Sequence, residues 1–218
     1  LRRVVTCEFD FSSNNMTQNM LDVEGFILVG GASSRMGSDK ARLDLGGLTF
    51  VERINAALSS LTERTSTVGA SARQRHWSLP DVPDVHESWG ALGGLHAALR
   101  AARAEWAAIV ACDLPYVTGE LFLRLASLRE NFDAVVPVQT DGRVQPLCAL
   151  YRKTVCLERA EELIKAGERR PRALLGSVST RRVMPEELAL LEGSARFLMN
   201  VNTPEDYERA VKILLQSE

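Results

Sequence analysis

The sequence predicts an α/β fold, a largely parallel sheet with helices on both faces. Three observations predict it: short apolar runs alternate with stretches of helical period, the links between them are short, and the run Ala107 to Ala111 is apolar throughout, as in a strand covered on both sides. Ligands of such sheets gather at the carboxyl ends of the strands.

The elements follow in order. Gly25 to Val29 reads as a buried strand leading into a glycine loop, and Phe50, Ile54, Leu58 and Leu61 then recur at helical spacing. Weak strands are expected at Ser66 to Gly69 and Val82 to Val85. A helix carrying Leu95 and Leu99 precedes the strand at Ala107 to Ala111. Leu121, Leu125 and Leu128 mark the next helix, Ala134 to Val138 a strand, and Leu147 to Tyr151 another. Leu157, Ala160 and Ile164 share a helix face that Gly167 ends as a C-terminal cap. After a basic stretch, Phe197 to Val201 is expected as a short strand. Thr203-Pro204-Glu205-Asp206 then opens a last helix with an N-cap, a proline in the first turn and acidic residues beside it. Residues 1–22 show no sustained period and are expected as a disordered or non-native extension, with 23–218 forming a single domain.

The composition narrows the function classes. The 218 residues, 45% of them hydrophobic and 25% charged, suffice for one globular domain with a substantial core. The 26 Lys and Arg against 28 Asp and Glu leave a net charge of -2, without the electrostatic footprint of a nucleic-acid binder. No apolar run approaches a membrane span and no signal-peptide pattern opens the chain, so a cytoplasmic protein without nucleic-acid or membrane partners is expected. Cys7, Cys112, Cys148 and Cys156 lack a C-x-x-C pair, which argues against structural zinc or a disulfide framework. His76, His86 and His96 lack the i,i+4 spacing of metal ligands and read as solvated or packed imidazoles.

The chemistry concentrates in the loop after the first strand, Leu28-Val29-Gly30-Gly31-Ala32-Ser33-Ser34-Arg35-Met36-Gly37-Ser38-Asp39-Lys40. Its glycines and small residues admit close backbone approach to a ligand and can form an anion nest, with Arg35 and Lys40 adding positive charge. Neither G-x-x-x-x-G-K-[ST] nor G-x-G-x-x-G is present, so NTP hydrolases and dehydrogenases fall back. Asp113 follows an apolar strand, where a carboxylate can face the ligand crevice and serve a hard cation such as Mg²⁺ together with phosphate oxygens.

The loop fills every fixed position of L-x-G-G-x-S-x-R-M-G-x-D-K, the signature of a group of nucleotidyltransferases. The chain resembles the molybdenum cofactor guanylyltransferases, the MobA-like family, from about Gly25 to about Ala210. Gly93-Gly94-Leu95, Cys112-Asp113-Leu114-Pro115-Tyr116, Ala166-Gly167-Glu168-Arg169-Arg170 and Asn200-Val201-Asn202-Thr203-Pro204 carry the likeness further. The resemblance implies a Rossmann-like three-layer sandwich of the nucleotide-diphospho-sugar transferase type. It also implies Mg²⁺-dependent transfer of GMP from GTP to the phosphate of molybdopterin, with release of pyrophosphate. GTP and molybdopterin are the implied partners, and molybdoenzymes or their chaperones are left open.

The same resemblance assigns residues. Arg35, Lys40 and Asp113 become catalytic, with Asp113 as the metal ligand; Arg35 can hold the departing phosphates and Lys40 the α-phosphate, or the reverse. Leu28, Val29, Gly30, Gly31, Lys40, Gly69, Glu87 and Asp113 would line the nucleotide site. Glu87 stands where the family's carboxylate after the third strand reads the guanine N–H donors. Gly69 replaces a polar residue after the second strand, and Gly90-Ala91 replaces the family's Gly-Pro, both departures from the pattern. Tyr116, Gln145, Arg169, Arg170, Asn200 and Asn202 would line the acceptor site. A cytidylyltransferase of the same cofactor, a nucleotidyltransferase acting on a sugar or alcohol phosphate, and a non-catalytic nucleotide-binding adaptor are the competing readings.

Overall fold

The computed structural model describes residues 22–30, 40–70, 77–86 and 89–216, so the extension expected over 1–22 falls almost wholly outside the described residues. Strands β1 (Val23–Leu28), β2 (Thr65–Val68), β3 (Asp81–Val82), β4 (Trp106–Ala111), β5 (Ala134–Pro137), β6 (Cys148–Arg152) and β7 (Thr180–Val183) form one sheet in the order β3-β2-β1-β4-β6-β5-β7. Neighbours are parallel except at β6, which runs against both β4 and β5. The reversal has a functional consequence: the start of β6 lies at the same edge of the sheet as the carboxyl ends of the other strands.

Helices α1 (Phe50–Leu58), α2 (Gly90–Ala101), α3 (Gly119–Ser127), α4 (Lys153–Lys165), α5 (Pro171–Ser177), α6 (Pro185–Leu188) and α7 (Pro204–Leu215) complete the described fold, with 3-10 turns at Lys40–Arg42 and Ser194–Arg196. Side chains alternate across the sheet and separate two cores. Ile27, Val29, Ala108 and Val110 face Val51, Ile54 and Leu58 of α1 and Leu121, Phe122 and Leu125 of α3. Phe26, Leu28, Ala107 and Ile109 face Leu92, Leu95 and Leu99 of α2, Ala160 and Ile164 of α4, and Leu174 and Leu175 of α5. This is the expected three-layer sandwich, and each fully buried Leu, Ile or Phe contributes roughly 1.5–3 kcal/mol. A third, smaller core joins Leu45, Phe50, Tyr116, Val201 and Ala210 and seats α7 beside the site.

Local chemistry sets the helix starts. Thr49 and Glu52 form a capping box at α1, and Thr203 and Asp206 do the same at α7, where Pro204 stands in the first turn as expected. The Thr118 hydroxyl accepts from the Leu121 amide at α3.

Two expectations are corrected. Phe197 to Val201 is not a strand: the Met199 amide bonds back to the Arg196 carbonyl, and Val201 is fixed by donating its amide to the Asp113 carbonyl at 2.9 Å. The basic stretch, given no element from its sequence, contains α5 and β7. Arg181 and Arg182 lie on β7, an edge strand that pairs only with β5, and charged side chains are tolerated there because one side faces solvent.

Candidate active site

The loop ends at the carboxyl edge of the sheet converge on Asp113, which follows β4. Asn200 hydrogen-bonds to its carboxylate through the side chain, while the Asp113 Oδ1 atom is buried without a partner among the described residues. Burial pushes this carboxyl above its ordinary range, and the Asn200 bond and the nearby Lys40 charge act in the opposite direction. The Asn200 Oδ1 atom accepts from Gln145 Nε2 at 3.0 Å, and Lys40 Nζ donates to Asn202 Oδ1 at 2.8 Å. Gln145, Asn200 and Asp113 thus form one hydrogen-bonded chain, and Lys40 and Asn202, 162 positions apart, form a pair whose lysine charge acts on Asp113.

The backbone places each of them. Lys40 opens a 3-10 turn on the far side of the glycine loop. Gln145 precedes β6, whose reversal turns it toward the site, and its amide donates to the Pro137 carbonyl at 3.0 Å. Asn200 and Asn202 flank Val201, whose burial and bond to Asp113 hold both amides at the site without the strand alternation expected of them.

On the nucleotide side, the expected glycines meet. A Cβ on Gly30 would lie 3.0 Å from the Gly69 carbonyl oxygen, so the turns after β1 and β2 touch through backbone alone. Gly69 has φ +77°, the left-handed region that a side chain there would strain. Val29 and Gly30 both direct their amides to the Val68 carbonyl, at 3.0 and 3.3 Å, and Leu28 accepts from the Cys112 amide at 3.0 Å. The side chains of Leu28 and Val29 are buried in the two cores. Their part in the site is to set the start of the loop. Gly31, Arg35 and Glu87 lie outside the described residues.

A carboxylate that the sequence reading passed over stands beside these glycines. The third strand ends at Val82 and does not run to Val85, because Pro83 has no amide to continue the ladder. Asp84 thus follows the strand. Its Oδ2 atom lies 3.1 Å from where a Gly69 Cβ would be, and its Oδ1 atom 3.8 Å from that of Gly94. Asp84 reaches solvent, yet partial burial first and the Asp81 charge second push its carboxyl up, with His86 opposing. The proline was the available signal.

The acceptor-side residues divide. Tyr116 is corrected: its ring is buried in the third core and its hydroxyl donates to the Ala210 carbonyl at 2.8 Å, which ties α7 to the sheet. Arg170 is held in a fork by Glu168, with Nε to Oε1 at 2.9 Å and Nη2 to Oε2 at 2.8 Å. That fork, with the Arg169 and Arg170 amides, holds the Glu168 carboxyl at about 2. Arg169 is exposed and its guanidinium lies 4.7 Å from the Trp89 ring centroid.

A hard cation fits this donor set. Asp113 offers a buried, unpartnered oxygen at the carboxyl edge of the sheet, and among the described residues no three His, Cys, Asp or Glu side chains gather to compete. Among the described residues, no helix is long and apolar enough to cross a membrane.

Residues 25–183 match the family model described as MobA-like NTP transferase domain. A protein of Carboxydothermus hydrogenoformans named "Probable molybdenum cofactor guanylyltransferase" is 34% identical over 196 residues, covering 88% of this chain and 96% of that protein. One of the same name from Bacillus cereus is 33% identical over 197 residues, covering 87% and 96%. The crystal structure of molybdopterin-guanine dinucleotide biosynthesis protein A from Archaeoglobus fulgidus superposes with a TM-score of 0.75 at 26% identity, covering 88% of this chain and 99% of that one. The 2-C-methyl-D-erythritol 4-phosphate cytidylyltransferase of Thermus thermophilus shares the fold, with a TM-score of 0.65 at 17% identity, covering 89% and 100%.

Proposed function

Because this chain belongs to the MobA-like NTP transferase family, we propose that it transfers GMP from GTP to the phosphate of molybdopterin, releasing pyrophosphate and forming molybdopterin guanine dinucleotide. The observation that carries the reading is the junction at Asp113. One oxygen of a buried carboxylate is left unpartnered where a lysine from the nucleotide loop and amides from the opposite side of the site meet.

An oxygen of the acceptor phosphate attacks the α-phosphorus, and the bond to the oxygen bridging the α- and β-phosphates breaks. Both partners are anions, so alignment and charge neutralisation govern the rate more than a strong base does. Asp113 would hold Mg²⁺, which when bound supplies positive charge to the phosphate oxygens. Lys40 spends one of its three N–H donors on Asn202 and would offer the others to the phosphates. Arg35, on the same loop, shares that task. Gly30 and Gly69 let the turns after β1 and β2 close on each other through backbone, at the edge where the nucleotide would lie. Asp84 beside them is suited to accept from guanine N1–H and N2–H₂, a role the sequence alone gave to Glu87. Cytosine presents one amine donor and two acceptors on the equivalent edge, so a carboxylate there disfavours the cytidylyl reading.

Gln145, Asn200 and Asn202 present mixed donors and acceptors to the pterin, and Arg169 a cation to its phosphate. A cytoplasmic place for the reaction belongs to the same proposal. The test is incubation with Mg²⁺, molybdopterin and each NTP in turn, with the product identified by mass. The guanine dinucleotide is expected; equal use of GTP and CTP removes the guanine reading, and no dinucleotide from any NTP removes the transferase reading.

A further inference from the structure

The two loops that flank the site are fastened together by one side chain. Trp89 stands just before α2, three residues after His86, and its amide bonds to the His86 carbonyl at 3.2 Å to fold the turn onto the helix. Gly93 makes the seat: a Cβ there would lie 2.9 Å from Trp89 Cβ and 3.3 Å from the His86 carbonyl oxygen. From this seat the indole reaches across to the loop between α4 and α5. Trp89 Nε1 donates to the Glu168 carbonyl at 3.0 Å, and the Arg169 guanidinium rests 4.7 Å from the ring centroid, inside cation–π range.

The loop so pinned is also hydrogen-bonded within itself. The Glu168 carboxylate accepts from the Arg169 and Arg170 amides, each at 2.9 Å, and from the Arg170 guanidinium. The charge of Arg170 is therefore matched within the loop. Arg169 differs, for among the described residues its guanidinium has no hydrogen-bond or carboxylate partner, so its N–H edges are open while its face is held. A planar cation stacked on one face presents its donors in a fixed plane, the arrangement that suits bidentate contact with a phosphate.

We propose that Trp89 is a positioning residue, whose ring fixes Arg169 toward the acceptor's phosphate and ties the acceptor loop to the same loop that carries Asp84. The assignment rests on the transferase reading above. It separates two neighbouring arginines that their sequence treats alike: Arg169 addresses the acceptor and Arg170 shapes the loop.

The experiment compares wild type, Trp89→Phe, Trp89→Leu, Arg169→Ala and the Trp89→Leu/Arg169→Ala double variant, each with thermal unfolding recorded. Steady-state rates are measured against Mg-GTP and molybdopterin separately. Trp89→Leu keeps an apolar side chain and loses the π-face, and is expected to raise the molybdopterin KM about tenfold while kcat and the GTP KM stay within about twofold. Trp89→Phe keeps a ring face and should recover to within about threefold of wild type. In the Arg169→Ala background, Trp89→Leu should add less than about twofold. An unchanged molybdopterin KM in folded Trp89→Leu, or independent losses that multiply in the double variant, overturns the proposal. A second readout needs no turnover. Trypsin cuts the Arg169–Arg170 bond but is blocked at Arg170–Pro171, and cleavage after Arg169 should be about tenfold faster in Trp89→Leu than in wild type; equal rates overturn the clasp. Absence of any dinucleotide from wild type, with the cleavage difference present, would reject the transferase reading and leave the clasp standing.

Discussion

The half of the sheet made of β3, β2, β1 and β4 and the half made of β6, β5 and β7 build their sides of the site by different means. In the first half every strand is parallel and each turn after a strand reaches the edge directly, so the surface proposed for the nucleotide is made from backbone, with Gly30 and Gly69 touching and Asp84 beside them. In the second half the sheet reverses at β6, and surface is made from side chains: Gln145 ahead of β6, Asn200 after a 3-10 turn, Arg169 between two helices. A small-residue turn gives a nucleotide room to lie against amides. Interlocked amides give a heterocycle fixed donors and acceptors. Asp113 is the seam, since it follows the last strand of the first half and takes its hydrogen bond from Asn200.

Breaking the seam has the largest expected effect. Asp113→Asn should lower kcat by roughly 10²–10³-fold, the scale on which a single preorganised electrostatic group acts in other enzymes. Its stability should move the other way. Because burial raises the folded-state pKa, the native chain loses stability as pH rises from the ordinary carboxylate value through the raised one, and stays lower above it. The amide variant lacks that cost, so its melting temperature at neutral pH should exceed wild type, with the gain shrinking as pH falls below the ordinary carboxylate range. Thermal unfolding at a series of pH values beside single-turnover rates checks both, and a variant that is both active and less stable would remove Asp113 from the seam.

Asp84→Asn tests the backbone half. Replacing one acceptor with a donor that opposes a guanine donor should reduce preference for GTP over ATP and CTP by about 1–3 kcal/mol, or roughly 5- to 150-fold in the kcat/KM ratio. Glu87→Gln should change it less. A larger effect at Glu87 would return the base-reading role to the residue the sequence suggests.

The contrast between the halves also marks what could be read from sequence. Parallel strands buried on both faces announce themselves as apolar runs, so β1 and β4 and the place of Asp113 after β4 were legible, as was the cap of α7 at Thr203. β7 was not, because T-R-R-V on an edge strand has neither an apolar run nor a clean alternation. The segment 197–201 misled in the other direction: Phe197 and Val201 are apolar because they fill cores, while the chain between them turns. The resemblance placed Tyr116 at the acceptor site, but its hydroxyl has a carbonyl from α7 as partner, a contact 94 residues distant that no local pattern encodes. Asp84 was lost to a strand drawn too long through Pro83. The Gln145–Asn200–Asp113 linkage joins separate ends of the chain, and only the reversal of β6 brings them together.

Gln145→Ala sharpens the comparison at smaller scale. Without the 3.0 Å bond from Gln145, Asn200 is free to turn from Asp113 and from the acceptor. A neutral hydrogen bond contributes about 1 kcal/mol, so the molybdopterin KM should rise about fivefold while the GTP KM stays within about twofold. An equal rise for both substrates would mean that the halves do not act separately.

The smallest effect lies behind the site, where α2 of the first half packs on α4 of the second. His96 on α2 is buried, and the Glu161 carboxylate on α4 lies 3.6 Å from its Nε2, within ion-pair reach but too far for a hydrogen bond. Neither ring nitrogen has a hydrogen-bond partner among the described residues, and the ring centroid of His86 is 5.0 Å away. Burial lowers the imidazole pKa first, with His86 and Arg100 in the same direction and Glu161 against it. The sign follows directly. Above the ordinary histidine value both folded and unfolded chains carry the neutral ring and stability is full. Below it the unfolded chain binds a proton that the folded chain refuses, and stability falls until the lowered folded value is passed. The slope from this one residue has a limit of about 1.4 kcal/mol per pH unit. His96→Phe keeps a ring against His86 and removes two unsatisfied nitrogens, so stability at pH 7.5 should match or exceed wild type and the His96 share of the decline toward pH 5 should vanish. Urea unfolding of both proteins from pH 7.5 to 5 measures it, and parallel curves would place the acid sensitivity of the joint elsewhere.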